Sequence, residues 1–289
     1  MSEGSELATA LEPVTVMSGE RRLYGIVERP QGRERGGVVL VHGWDGCRVG
    51  PNRILVEAAR HLGGLGFATL RFDLSGRGES EGDPLSTDLD TMIADASACL
   101  DELKGRLRGS APLGLLGMCS GGNVALAAAA LRGDVHAVVA WSTYPFQEQR
   151  SRAQDVKRTG HFAGVYLAKA FRVETWRRLL AGRVNLPMVR QVLFGHVRAG
   201  EGTQRDRQRS RRDVLGVLGR YRGRVLFVFG GKDPEAAGSE RMFRAFCAEH
   251  GLAAEFESIA GSNHNFHSLP WKKQAVETTG RWLTGALGE

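Results

Sequence analysis

The chain has 289 residues, 42% of them apolar, and a formal net charge of +7. That is enough length for an α/β core with an inserted segment, and enough apolar side chain for a packed interior. No apolar run approaches the roughly 20 residues that span a bilayer, and residues 1–12 lack the basic-then-apolar order of a signal peptide, so a cytoplasmic protein without a membrane span is expected.

Residues 1–12 read as a disordered N-terminus. Pro13 to Met17 and Arg22 to Glu28 alternate well enough for two antiparallel strands joined at Ser18-Gly19. Gly36 to His42 is an apolar run ending at Gly43, as an interior parallel strand would be. Asn52 to Leu65 has helical spacing, and Phe67 to Phe72 is the next strand. Leu89, Met92, Ile93, Ala96, Leu100 and Leu103 define an amphipathic helix capped by Asp88 or Thr87. Leu113 to Leu116 is a short buried strand, Gly117 to Gly121 a turn, and Asn123 to Leu131 an Ala-rich helix. Strands follow at Val135 to Trp141, Arg224 to Phe229 and Ala253 to Ser258, with helices at Ser239 to His250 and Pro270 to Leu287, the last with Pro in its first turn. Strands alternating with helices imply a mostly parallel sheet covered by helices on both faces, the first hairpin supplying an antiparallel edge.

The alternation stops between Pro145 and Gly223. Residues 146–223 carry helical spacing only, and they read as a helical cap inserted between core segments 13–145 and 224–289, because a structureless loop of that length is improbable. This segment holds 18 Lys and Arg against 6 Asp and Glu, while the rest of the chain holds 21 against 26. Its basic run includes Arg205, Arg207, Arg209, Arg211 and Arg212. Either this is a solvated helical surface or it docks something anionic. No aromatic interleaving or nucleic-acid module accompanies it, so nucleic acid is not the expected partner.

The stretch Gly117-Met-Cys119-Ser-Gly121, between an apolar strand and a helix, is a nucleophile elbow with Cys as the nucleophile. The central residue of such a turn is strained, and side chains two positions either side would strike the neighbouring strand and helix, hence the glycines. Ser120 as nucleophile would need glycines at 118 and 122, and position 118 is Met. Cys119 needs a base and a carboxylate to orient it, in the chain order nucleophile, acid, His. Asp233 follows the strand ending at Phe229, and His264 follows the strand ending at Ser258. Both lie just past carboxyl ends of parallel strands, where open α/β sheets bind ligands. Their rivals are weaker. Glu235 lies farther from its strand, Asp134 precedes its strand, His267 reads as packing under the last helix, and His61 and His250 read as solvated. The oxyanion donors expected are the N–H groups of Ser120 and Trp44. Asp73 to Ser80 reads as a tight loop beside the site, with Asp73 satisfying loop amides. Cys99 and Cys247 fall on apolar helix faces as buried thiols, and Cys47 lies in a loop. With no CxxC pairing or ligand spacing, neither a disulfide framework nor a metal or redox cofactor is implied.

His42-Gly43-Trp44, Asp73-x-x-Gly76-x-Gly78-x-Ser80, the elbow, Gly231-Lys-Asp233-Pro and the late His264 together resemble the α/β-hydrolase superfamily, from about residue 35 to the end. More narrowly, Cys at the elbow, Arg48-Val-Gly50 and the stretch from Trp176 to Leu186 resemble hydrolases associated with bacterial exosortase systems. Dienelactone hydrolases also carry Cys at the elbow but are shorter and lack such a cap. The resemblance implies an acyl ester or thioester hydrolase working through an acyl-Cys119 intermediate. Because exchange between thioesters is nearly isoenergetic, an acyltransferase or cyclase fed by a carrier-protein or coenzyme A thioester at the basic cap is the second reading. A non-catalytic ligand-binding member is the third.

Overall fold

The computed structural model describes residues 10–30, 32–145 and 213–288. Residues 1–9 and 146–212, most of the stretches read as a disordered N-terminus and as a cap, lie outside these residues, whereas residues 10–12, read as part of that N-terminus, are ordered by pairing with residues 27–29 as the start of the first strand. The described residues all belong to one unit.

An eight-stranded sheet forms the middle layer: β1 (Ala10–Ser18), β2 (Arg21–Arg29), β3 (Gly36–Val41), β4 (Phe67–Phe72), β5 (Leu113–Met118), β6 (Val135–Trp141), β7 (Arg224–Gly230) and β8 (Ala253–Ile259). Its spatial order is β1-β2-β4-β3-β5-β6-β7-β8. β1 and β2 pair antiparallel, β2 runs antiparallel to β4, and β3 to β8 are all parallel. Every residue of β3, β4 and β5 is buried, which is why their sequences are continuous rather than alternating. β8, an edge strand, alternates instead.

Both faces are covered. Helices α1 (Ile54–Gly64) and, at the chain's end, α6 (Leu269–Leu287) bury Leu55, Leu62, Ala275 and Leu283 against Leu40, Leu116 and Val139. The opposite face takes α2 (Leu89–Arg106), α3 (Ser120–Arg132), α4 (Val214–Leu218) and α5 (Ala236–His250). Each leucine or valine among them, withdrawn fully from water, stabilises the fold by about 2 kcal/mol. Val214, Leu218 and Tyr221, the end of the stretch read as a cap, belong to this core layer. Asp88 caps α2, its Oδ1 accepting from the Thr91 N–H at 2.8 Å. Among the described residues no helix is long and apolar enough to cross a membrane.

Chain order and spatial order part company around β3: its sequence successor β4 lies on one side and β5 on the other. A sheet opens a crevice at such a switch point, beyond the carboxyl ends of the two diverging strands. β3 ends there in His42-Gly43-Trp44 and β5 in Cys119.

Candidate active site

The strand-to-helix turn after β5 is a single residue, tighter than the five-residue turn expected: β5 runs to Met118 and α3 starts at Ser120. Cys119 between them has φ 57° and ψ −125°, a conformation an L-residue holds only under constraint. The constraint is visible. Its N–H donates to the Trp141 carbonyl at 2.8 Å. A Cβ on Gly117 would lie 2.2 Å from the Gly121 carbonyl oxygen, and one on Gly121 would lie 2.4 Å from that of His42. The glycines let β3, β5 and α3 converge, and the cysteine is thrust out at the apex.

His264 faces it. The loops after β7 and β8 are stitched together, Lys232 N–H donating to Ser262 O at 2.7 Å and Gly231 N–H to Ile259 O at 2.9 Å. This brings Asp233 Oδ2 to 2.8 Å from His264 Nδ1. Asp233 is 7% exposed, and its Oδ1 accepts the Glu235 N–H. Glu235, the rival acid, stands at the N-cap position of α5 instead. Burial pulls the His264 pKa down, but hydrogen bonds to Asp233 and Cys119, with the charge of both, outweigh it and raise it to about 9. Cys119, Asp233 and His264, distant in the chain, therefore form one connected group.

A raised histidine pKa carries a pH signature. The stabilisation from the charged ring is fully present below its ordinary value of 6.5 and is lost as pH rises through about 9. Between pH 7 and pH 10 the wild-type melting temperature is expected to fall relative to that of His264→Gln. Parallel curves would show that the ring is not held as a cation.

Tyr144 carried no signal in the sequence motifs, yet its Oη lies 2.7 Å from His264 Nδ1 and 3.5 Å from Asp233 Oδ2. The two rings stack with centroids 5.0 Å apart at 18°. Tyr144 stands three residues past the end of β6, as Asp233 stands three past β7. Inspecting every parallel strand's carboxyl end would have found it.

The loop after β3 is locked from beneath. His42 is buried, and burial lowers its pKa to about 4, so the ring is neutral. Its Nε2 accepts the Leu74 N–H at 3.0 Å, which leaves Nδ1–H to donate to the Gly43 carbonyl at 2.7 Å. Arg77 Nε–H donates to the Trp44 carbonyl at 2.6 Å, and its guanidinium lies 4.9 Å over the indole. Asp73 satisfies loop amides as expected, accepting from the N–H groups of Arg48 at 2.6 Å and Glu79 at 3.1 Å, and it pairs with the Arg48 side chain. The Trp44 N–H donates to the Ser120 side-chain hydroxyl at 2.7 Å. Ser120 is the first residue of α3, so no intrahelical carbonyl reaches its own N–H.

Other expectations shift. His267 is exposed, edge-on to Trp271 at 5.4 Å, and it is Phe266, fully buried against Trp141, that packs under α6. His61 is half-buried rather than solvated: a Cβ on Gly280 of α6 would lie 2.5 Å from its Nε2. His250 stacks on Phe246 with centroids 4.2 Å apart. Asp134 pairs with Arg132 and Lys104 before β6 begins. Cys99 and Cys247 are buried, and Cys47 is partly exposed. Among the described residues no group of three His, Cys, Asp or Glu side chains is arranged to hold a metal.

A parallel sheet with this switch point, a strained elbow and a histidine–carboxylate pair facing it define a hydrolase fold. The family model described as "Alpha/beta hydrolase family" matches residues 38–275, and the chain belongs to that family. No curated protein matches the chain. Among solved structures it is similar to a dienelactone hydrolase from Anabaena variabilis, at 18% identity and a TM-score of 0.62, covering 96% of this chain and 98% of that one. An esterase of Pyrococcus furiosus is similar at 16% identity and a TM-score of 0.68, with 99% and 96% covered. A ferulic acid-bound protein of Butyrivibrio proteoclasticus is similar at 16% identity and a TM-score of 0.63, with 96% and 100% covered. At these identities the likeness is one of fold.

Proposed function

We propose that this chain hydrolyses acyl esters or thioesters through an acyl-Cys119 intermediate, with His264 as acid and base and Asp233 as its orienting carboxylate. The observation that supports the reading is His264 Nδ1 lying 2.8 Å from Asp233 Oδ2 beside the elbow, an arrangement that raises the ring's pKa to about 9. A cationic imidazole can hold an attacking thiolate as its counter-ion. The thiolate sulfur attacks the acyl carbonyl, and the Ser120 N–H at the start of α3 is the backbone donor for the oxyanion, the Trp44 N–H being engaged by Ser120 Oγ. His264 gives its proton to the leaving group and then takes one from the water that releases the acid. The similar folds named as a dienelactone hydrolase and an esterase suit this chemistry.

The cysteine itself favours a second reading. Its intermediate is a thioester, so acyl groups arriving as thioesters exchange onto it with little change in free energy. An amine, hydroxyl or enolate could then intercept the acyl group in place of water. The basic stretch from Arg205 to Arg212 would suit an anionic carrier protein or coenzyme A as donor. Intact-protein mass spectrometry after mixing with a panel of acyl thioesters separates the readings. An adduct that disappears in water within seconds supports the hydrolase, and one that persists until an acceptor is added supports transfer or cyclisation. Absence of any adduct on Cys119 would remove both and leave a ligand-binding member of the fold.

A further inference from the structure

The Trp44 amide, expected to point at a substrate oxygen, is already engaged by a side chain. Its N–H donates to Ser120 Oγ at 2.7 Å. A hydroxyl that accepts still has its own proton to give, and among the described residues the Ser120 hydroxyl makes no other hydrogen bond. The group sits beside the elbow cysteine: a Cβ built on Gly43 would be 3.3 Å from Cys119 Cβ and 3.7 Å from Ser120 Oγ. It also stands at the first position of a 13-residue helix, where the aligned peptide dipoles favour negative charge. Arg77 and His42 hold the Trp44 loop in the position that makes this contact.

We propose that the Ser120 hydroxyl is itself an oxyanion donor, with the Trp44 N–H behind it as a polarising second layer. This rests on the acyl-cysteine reading. When the thiolate sulfur bonds to the carbonyl carbon, the carbonyl π pair moves onto oxygen, and no proton is transferred in that step. The developing oxyanion accepts hydrogen bonds from the Ser120 N–H and the Ser120 O–H. The hydroxyl keeps its proton throughout. As the pair returns and the bond to the leaving group breaks, the leaving group takes its proton from His264. A bond from O–H to a full negative charge is roughly twice as strong as a neutral one, and the Trp44 amide, donating to the same oxygen, makes that O–H a better donor. The amide thus contributes without breaking the contact it makes in the empty site.

The test compares two reactions of Cys119. Acylation by p-nitrophenyl butyrate passes through an oxyanion, whereas alkylation by iodoacetamide displaces iodide at a saturated carbon and forms none. Ser120→Ala is expected to slow acylation by about 100-fold, the low end of what removing one oxyanion donor costs, and to leave alkylation within about twofold of wild type. Ser120→Thr, which restores the hydroxyl, should recover most of the loss. Acylation of Ser120→Ala at the wild-type rate or faster would overturn the proposal, because the hydroxyl would then merely occupy the Trp44 amide. Equal slowing of acylation and alkylation would overturn it too, as a displaced cysteine. A wild-type protein that gains no acyl mass, or a Cys119→Ala protein that still gains it, overturns the acyl-cysteine reading instead.

Discussion

Replacing Cys119 with alanine is expected to lower kcat/KM for any ester or thioester the protein turns over by about 10,000-fold or more. At 1.36 kcal/mol per decade that is on the order of 5.5 kcal/mol of transition-state stabilisation, the scale on which nucleophile removal acts where covalent catalysis carries the reaction. The substitution should not unfold the chain. The elbow's geometry comes from Gly117 and Gly121, which bring backbone against backbone, and the Cys119 N–H keeps its bond to the Trp141 carbonyl whatever the side chain. The left-handed backbone at this position is shared by both residues, so alanine adds no strain that cysteine lacks. A melting temperature within a few degrees of wild type, with activity gone, is therefore the signature to look for. Alanine also removes the thiol whose hydrogen bond and charge help raise the His264 pKa, so the alkaline loss of stability should move to lower pH in this variant. Retained turnover would mean that the strained apex is not the reacting residue, and the neighbouring Ser120 hydroxyl would become the first suspect.

Asp233→Asn is the second large effect, and Tyr144 sets its size. An amide in place of the carboxylate removes the charge that holds the imidazolium and can stabilise the wrong tautomer, which costs about 10,000-fold where the carboxylate is the ring's sole partner. Here Nδ1–H has two oxygens within reach, Asp233 Oδ2 at 2.8 Å and Tyr144 Oη at 2.7 Å. Stacking of the tyrosine ring on the imidazole keeps the ring in place as well. Asp233→Asn is accordingly expected to cost only about 100-fold in kcat, and Tyr144→Phe, which keeps the stacking, about fivefold. The double variant should fall the full 10,000-fold, well beyond the product of the singles. That 20-fold excess is a coupling of about 1.8 kcal/mol, within the range neighbours sharing one partner show. Additive losses in kcat would mean that the tyrosine hydroxyl shares nothing with the carboxylate.

The fold was legible because its signals are local. Continuous apolar runs mark β3, β4 and β5 since both their faces are covered, and those strands lie where the pattern puts them. The Pro in the first turn of α6 was legible for the same reason, and the cap of α2 was narrowed to Asp88 or Thr87, of which Asp88 makes the bond. The elbow was legible because two glycines around a nucleophile answer to contacts within one strand–turn–helix unit, although its turn proved to be one residue long. His267 was misread because three residues decide which side of a loop a side chain takes, and Phe266, bulkier and apolar, claimed the buried side.

By itself, then, the sequence determined the parallel α/β architecture, the strained cysteine and the strand-end positions of Asp233 and His264, since all of these follow from apolar periodicity, glycine placement and chain order. Only the tertiary structure decided the partners. Tyr144 meets His264 across 120 positions, Ser120 meets Trp44 across 76, and Arg77 meets Trp44 across 33. These contacts exist because the sheet order sets the carboxyl ends of β3, β5, β6, β7 and β8 side by side, with the loop after β4 packed beneath that of β3. No periodicity along the chain encodes which side chains then face one another. That is settled by strand register and by the loops that the glycines allow to approach.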